Sequence, residues 1–322
     1  MIIDKAIYIS VFIKKLLTVI FKKKLNMKSV LEKNNYGKSS VRVLKVKRTG
    51  LIHDITEVSI DVQLKGDFDD VHLKGDNSKV LPTDTIKNTV YVLAKENPMN
   101  SIEEFCLYLG NYFLDNNIQI SEVRIKAVEK IWKRINIHDS SEKEINQHHP
   151  HNHSFISPGN ETRNCSLKIS RDEYKIKSGL NNLLVLKTTN SGFEGFIKDK
   201  YTTLLETKDR IFSTSIKAEW KYFKYDIDFR SIHDTVRNLL LNTFAEHSSL
   251  SVQQTLYECG KKVTEQCPEV KEIFISMPNK HYLKFDLDRF DLDNFNEIFI
   301  PTDEPYGLIE GVVKNVKNGK EQ

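Results

Sequence analysis

Cysteine is scarce in this chain: four residues, Cys106, Cys165, Cys259 and Cys267, in a length of 322. They show no CxxC and no paired spacing, so a disulfide framework is excluded and free thiols in a reducing compartment are expected. GxGxxG, P-loop and HExxH motifs are also missing, which argues against a nucleotide cofactor and against a zincin. Charge of one sign is not gathered anywhere. Forty-eight Lys and Arg are interspersed with 44 Asp and Glu, for a formal +4 and a pI near 8.6. A nucleic-acid role therefore has little support, although a positively biased pocket can still draw in a small anion.

Long apolar runs are lacking too. From Ala6 to Phe21 the chain is largely apolar, but Ser10, Lys14, Thr18 and Lys22 interrupt it every fourth residue. That is the period of a helix with a narrow basic stripe, too short and too often broken by lysine to span a bilayer comfortably. It has no small-residue cleavage site and no arginine, so secretory and mitochondrial leaders fit poorly. Two readings stay open: a membrane-surface or targeting helix, the chain's one route to membrane contact, or a stretch upstream of a start at Met27.

With 39% hydrophobic content the remainder can bury a core and hold two domains. Val58, Ile60, Val62 and Leu64 alternate with polar residues, the period of a half-wet strand. Strands are expected before it at Val41–Lys47, after it at Thr89–Ala94, and from Val123 through Ala127. Ser101 and Glu104 form a capping box for a helix with Ile102, Phe105, Leu109 and Phe113 inward, ended by Asn116-Asn117. The second half repeats the plan, with strands near Cys165–Ile169, Leu183–Lys187 and Ile216–Lys221. Asp234 is expected to cap a helix burying Val236, Leu240 and Phe244, and Ser251 a helix burying Leu256 and Val263. Lys271–Met277 and His281–Leu287 read as two further strands. The polar, His-rich stretch from Asp139 to Asn164 marks the boundary. Segregated strands and helices give an α+β antiparallel class.

One segment asks for more than a fold. Leu183 to Arg210 leaves an apolar run and then sets Phe193, Phe196, Tyr201, Leu204 and Arg210 at fixed intervals. A phenyl face and the planar fork of an arginine, held on one segment, can grip a flat anionic heterocycle. This segment closely resembles the signature of the urate oxidase (uricase) family. The resemblance extends to Tyr36-Gly37-Lys38 with Val41–Val46, to Thr83–Thr89, to Pro150–Phe155, to Ser251-Val252-Gln253 and to Pro278–Tyr282. These six motifs come in the family's order and cover about Tyr36 to Val313.

The resemblance implies tandem tunnelling-fold (T-fold) domains, each an antiparallel sheet with two helices on one face. Two subunits close their sheets into a barrel, and two barrels stack as a homotetramer with active sites at subunit interfaces. It divides the chain into an extension, 1–35, and two T-fold domains, 36–150 and 151–322. It implies oxidation of urate by O2 and water to 5-hydroxyisourate and hydrogen peroxide, without cofactor or metal. Arg210 and Gln253 would clamp the ligand's edge, Phe193 would stack on its ring, and Val252 would add a backbone N–H and an apolar wall. Lys38, Thr83 and His281 would handle protons, and Asn279 with Thr83 would hold dioxygen or water above the ring. Asp84 would orient the Thr83 loop. Taken singly, an arginine is usually a surface ion-pair partner and Phe193 a core residue; the family context raises them.

The histidines from His148 to His153 invite a metal reading, since imidazoles ligate several transition metals. Adjacent loop histidines do not ensure converging geometry, and the resemblance needs no metal there. Two other readings are a non-catalytic purine- or pterin-binding barrel and a metal-using pterin enzyme of the same fold. Lys38, Thr83, Asn279 and His281 speak against the first; an Arg–Gln anchor where that branch has a carboxylate speaks against the second. Family members are commonly peroxisomal, and many end in a Ser-Lys-Leu-like tripeptide. Gly319-Lys320-Glu321-Gln322 does not match it, so a peroxisomal location is expected on the resemblance, with the cytoplasm as the alternative.

Overall fold

A computed structural model describes residues 13–15, 29–138 and 148–316. Eight strands form one antiparallel sheet: β1 (Tyr36–Thr49), β2 (Ile52–Gly66), β3 (Ile120–Lys130), β6 (Thr162–Ser170), β7 (Tyr174–Lys187), β8 (Phe212–Tyr222), β9 (Val270–Lys284) and β10 (Phe299–Lys314), in that spatial order. A separate ribbon pairs β4 (Lys133–His138) with β5 (His148–Ile156). The helices are α1 (Asp69–Leu73), α2 (Thr83–Glu96), α3 (Ile102–Asn116), α4 (Phe229–Glu246) and α5 (Val252–Gln266). Strand, strand, two long helices, strand, strand occurs twice, first from β1 to β6 and again from β7 to β10.

The alternation in β2 does what its period requires: Val58, Ile60, Val62 and Leu64 are all buried. They belong to one buried core with the apolar stripe of α3, where Ile102, Phe105, Leu109 and Phe113 are buried in turn. Ser101 caps α3, its hydroxyl accepting from the Glu104 N–H at 3.1 Å, and Ser251 caps α5 in the same way through Gln254. Helices α2 to α5 pack against β1, β3 and β6, β7, and β9 and β10.

Three expectations are corrected. Thr89–Ala94 is not a strand but the second half of α2. Val90, Val92 and Ala94 suggest alternation, yet Val92 is 55% exposed and Leu93 3% exposed, so Ile86, Val90 and Leu93 define a helical stripe. Asp234 does not cap α4. The helix starts nearly two turns earlier, where the Asp228 carboxylate accepts from the Ser231 N–H at 3.0 Å. The two strands expected at Lys271–Met277 and His281–Leu287 are one strand, β9, which ends at Lys284. Of the polar stretch from Asp139 to Asn164, residues 139–147 lie outside the described residues, as does most of the N-terminal amphipathic segment.

A buried polar chain crosses the seam between the two repeats. Glu103 on α3 is fully buried and accepts from Arg163 Nη2 and from Ser178 Oγ, each at 2.5 Å. The Tyr222 hydroxyl donates to Ser178 at 2.8 Å, and Trp220 Nε1 donates to Tyr222 at 2.9 Å. Burial next to Glu103 drives the Tyr222 phenol far above its usual pKa. Both oxygens of the carboxylate are thus satisfied at the junction of α3, β6 and β7.

Candidate functional site

The site is built on the strand ends of the second repeat. After β7 the chain runs through Asn190–Phe193 and is stitched on both sides by backbone hydrogen bonds. Ser249 N–H donates to Asn190 O (2.9 Å) and Gly192 N–H to Ser249 O (2.8 Å), a parallel bridge that fixes the entry to α5. On the other side Phe193 N–H donates to Thr207 O (2.7 Å) and Arg210 N–H to Ser191 O (2.8 Å). Gly192 permits this packing: a Cβ there would lie 3.1 Å from the carbonyl oxygens of both Thr207 and Lys208. Three segments distant in sequence therefore meet side by side, carrying Phe193, Arg210 and the N-terminus of α5.

The structure brings together Phe193 and Arg210, two of the residues expected of a clamp. The Arg210 guanidinium lies 5.5 Å from the centre of the Phe193 ring, which itself stacks on Phe196 at 5.0 Å. Arg210 is half-buried, and burial lowers its pKa, though a guanidinium stays charged. It has no acidic partner among the described residues, and its Nε is buried without a hydrogen-bond acceptor. A desolvated cation without a counter-ion is costly unless an anion completes it. Val252 is buried at the first position of α5 and Gln253 follows it on the exposed side. Their backbone N–H groups precede the first intrahelical acceptor and add the positive end of the helix dipole.

Asn279 and His281 belong to β9. Asn279 pairs with Thr214 on β8 and with Gly307 on β10. Between Gly307 and Thr302, which pairs with His281, β10 bulges out and leaves Lys280 bonded at 2.6 Å to Asp303. Bulges re-aim side chains at such points. Gln253, Asn279 and His281 make no side-chain hydrogen bond among the described residues, so their polar groups are unspent.

Lys38, Thr83 and Asp84 form a second group at the other edge of the sheet. Tyr36 ties β1 to the entry of α2, its hydroxyl accepting from Leu81 N–H at 2.9 Å. Gly37 lies so near β2 that an added Cβ would sit 1.8 Å from the Val62 carbonyl oxygen. Thr83 opens α2 after Pro82, and both Thr83 and Asp84 are exposed. The Asp84 carboxyl is held below its usual range, first by its hydrogen bond and charge pairing with Lys87, then by Asn88 and by the charge of Lys38. Gly37→Ala should force β1 off β2 at this point. We expect destabilisation of about 1–3 kcal/mol in urea melts, the range for overpacking; the same change at Gly50 meets no atom within 4 Å and costs only the strain of its left-handed φ of 61°.

The two groups do not meet within one chain. From β1 to β9 there are six strand steps, about 29 Å across a flat sheet at 4.8 Å each. They also lie at opposite strand ends. Lys38 is level with Val62, Ile125, Leu167 and Ile176, whereas Asn279 is level with Thr214 and Val185. Lys38 and His281 therefore occupy diagonal corners. The stitching residues Ser191, Gly192 and Ser249 were not marked by the sequence, because their partners are separated from them by tens of residues. Among the described residues no group of three His, Cys, Asp or Glu side chains is placed to hold a metal ion. His151 and His153 lie on β5, rings 4.4 Å apart.

Comparison with known proteins gives a consistent result. The uricase family model matches twice, over residues 34–168 and 176–310. The uricase of Arthrobacter globiformis is 44% identical over 287 residues, covering 89% of this chain and 90% of that protein. That of Dictyostelium discoideum is 39% identical over 284 residues, covering 87% and 96%. The crystal structure of the Arthrobacter globiformis uricase superposes with a TM-score of 0.83 at 42% identity, covering 92% of this chain and 98% of that one.

Proposed function

The chain belongs to the uricase family, a tandem T-fold family of oxygen-using oxidoreductases, and from that premise we infer how it oxidises urate. The observation that carries the reading is Arg210: a half-buried guanidinium on an aromatic face, without a carboxylate, beside a helix N-terminus. Urate is a flat anion with alternating N–H and C=O edges. The Arg210 fork and the Gln253 amide take that edge, Phe193 stacks on the ring, and the Val252 N–H adds a further donor.

Lys38, through the Thr83 hydroxyl, removes a proton from the bound anion, and His281 relays it. Asn279 with Thr83 holds dioxygen and then water over the ring. Urate gives two electrons and two protons to O2, which leaves as hydrogen peroxide. Water adds its hydroxyl to the oxidised ring to give 5-hydroxyisourate. The protein supplies alignment, deprotonation and charge stabilisation.

This requires a second copy. A two-fold axis running along the strands carries the β1 edge of one chain against the β10 edge of the other, and the alternating directions of eight strands make that pairing antiparallel. The tilt and stagger of strands in a closed barrel bring the corner bearing Lys38 and Thr83 toward the partner's corner bearing Arg210, Asn279 and His281. Both edge strands have a neighbour on one side only among the described residues, a state that closure into a barrel relieves. Two such barrels stack as the homotetramer.

Complementation tests the shared site. Lys38→Met and Arg210→Ala chains are each expected to be nearly inactive, followed by loss of the urate ultraviolet band and by peroxide release. Unfolded together and refolded as hybrids, they should regain part of the parental rate, since one interface unites an intact Lys38 with an intact Arg210. Hybrids as inactive as either parent would place both residues in one chain's site and overturn the reading.

A further inference from the structure

Outside the urate site, the seam between the two repeats encloses a cavity of about 350 Å³ that the proposed reaction leaves unused. Its floor is Arg163 and Glu129, its wall is the first turns of α4 with Arg230 and His233, and Trp132 and Lys133 stand at its rim. Three of these polar groups are more than nine-tenths buried and lack a partner: Arg163 Nε, Glu129 Oε2 and His233 Nε2. Arg163 Nε and Glu129 Oε2 are 4.0 Å apart, and Arg230 Nη2 stands 3.5 Å from Glu129. These gaps are too long for good direct hydrogen bonds.

The surrounding charges leave cations to spare. Arg237 and Glu161 satisfy each other through two bonds of 2.6 and 2.7 Å. Lys130 rests over the Trp132 ring at 4.3 Å, and neither it nor Lys133 has an acidic partner among the described residues. The cavity therefore offers the buried Arg163 and the half-exposed Arg230 beside Glu129, the one buried carboxylate left without a full set of partners, while Asp234 at the rim is exposed and faces His233 Nδ1. A ligand that fits must be anionic and must also carry a proton to give to Glu129.

We propose that this cavity is a binding site for inorganic phosphate, whose oxygens accept from Arg163 and Arg230 and whose P–OH donates to Glu129. The carboxylate sets the selectivity. Sulfate is similar in size and charge but has no proton at neutral pH, so its lone pairs face those of Glu129 and the site rejects it. The inference is independent of the urate reading, because no residue of the urate site lines the cavity.

Titration calorimetry on the full chain, with phosphate and sulfate at equal ionic strength, tests it. Phosphate is expected to bind once per chain and to raise Tm, and sulfate to do neither. Arg230→Gln and Lys133→Gln, at the half-open side, should each weaken phosphate by roughly tenfold or more with unchanged circular dichroism. Glu129→Gln should admit sulfate, because an amide can donate where the carboxylate cannot. Arg163 is left intact because it also holds Glu103. Absence of phosphate binding, equal binding of sulfate by the parent chain, or phosphate affinity unmoved in both cation variants would overturn the proposal.

Discussion

Arg210→Ala should weaken urate or inhibitor binding by about 2–4 kcal/mol, roughly 30- to 1,000-fold, the cost of removing a charged, desolvated donor from an anion. The same substitution should leave folding stability unchanged or slightly raised, since the guanidinium has no internal counter-ion and its Nε has no acceptor. That pairing of effects is the diagnostic. A structural arginine would show the reverse, a lower urea midpoint with little change in affinity. Arg210→Lys keeps the charge but loses the fork, and is expected to recover only part of the affinity. Affinity within twofold of the parent for the alanine variant would remove Arg210 from the clamp.

The second large effect is on folding. Glu103→Ala should destabilise the chain by about 3–5 kcal/mol, because Arg163 would remain buried at the seam with its charge uncompensated. Replacing both partners, as Glu103→Met with Arg163→Met, should recover much of that loss, since apolar groups of similar length require no counter-charge. Urea denaturation of Glu103→Met, Arg163→Met and the double variant gives the coupling directly. A double variant no more stable than Glu103→Ala would mean that the seam depends on packing of the side chains rather than on the pair.

Much of this was legible along the chain. The strand at Val58–Leu64 and the helices after Ser101 and Ser251 are local statements: a period of two or near four, and a hydroxyl three residues before an N–H that needs it. The misread places have a physical reason as well. Thr89–Ala94 carries both periods, and only the packing of Leu93 under the sheet chose the helix. Asp228 and Asp234 are both competent caps, and the burial of Phe229 and Ile232 set the start at the earlier one. Of the site, the aromatic and the guanidinium at Phe193 and Arg210 were visible as a spacing. The bridge from Ser191 to Ser249, which sets the clamp against α5, was not.

By itself the sequence determined the α+β character, the doubled order of strands and helices, and which residue types were on hand for an anionic ring. Those properties follow from short-range sterics and from burial periods that repeat within a few residues. The tertiary structure decided where the candidate residues lie. It placed Lys38 and Thr83 at one corner of an eight-stranded sheet and Arg210, Asn279 and His281 at the diagonal one. That separation is a property of strand order and register, which arise from pairings between residues far apart in the chain.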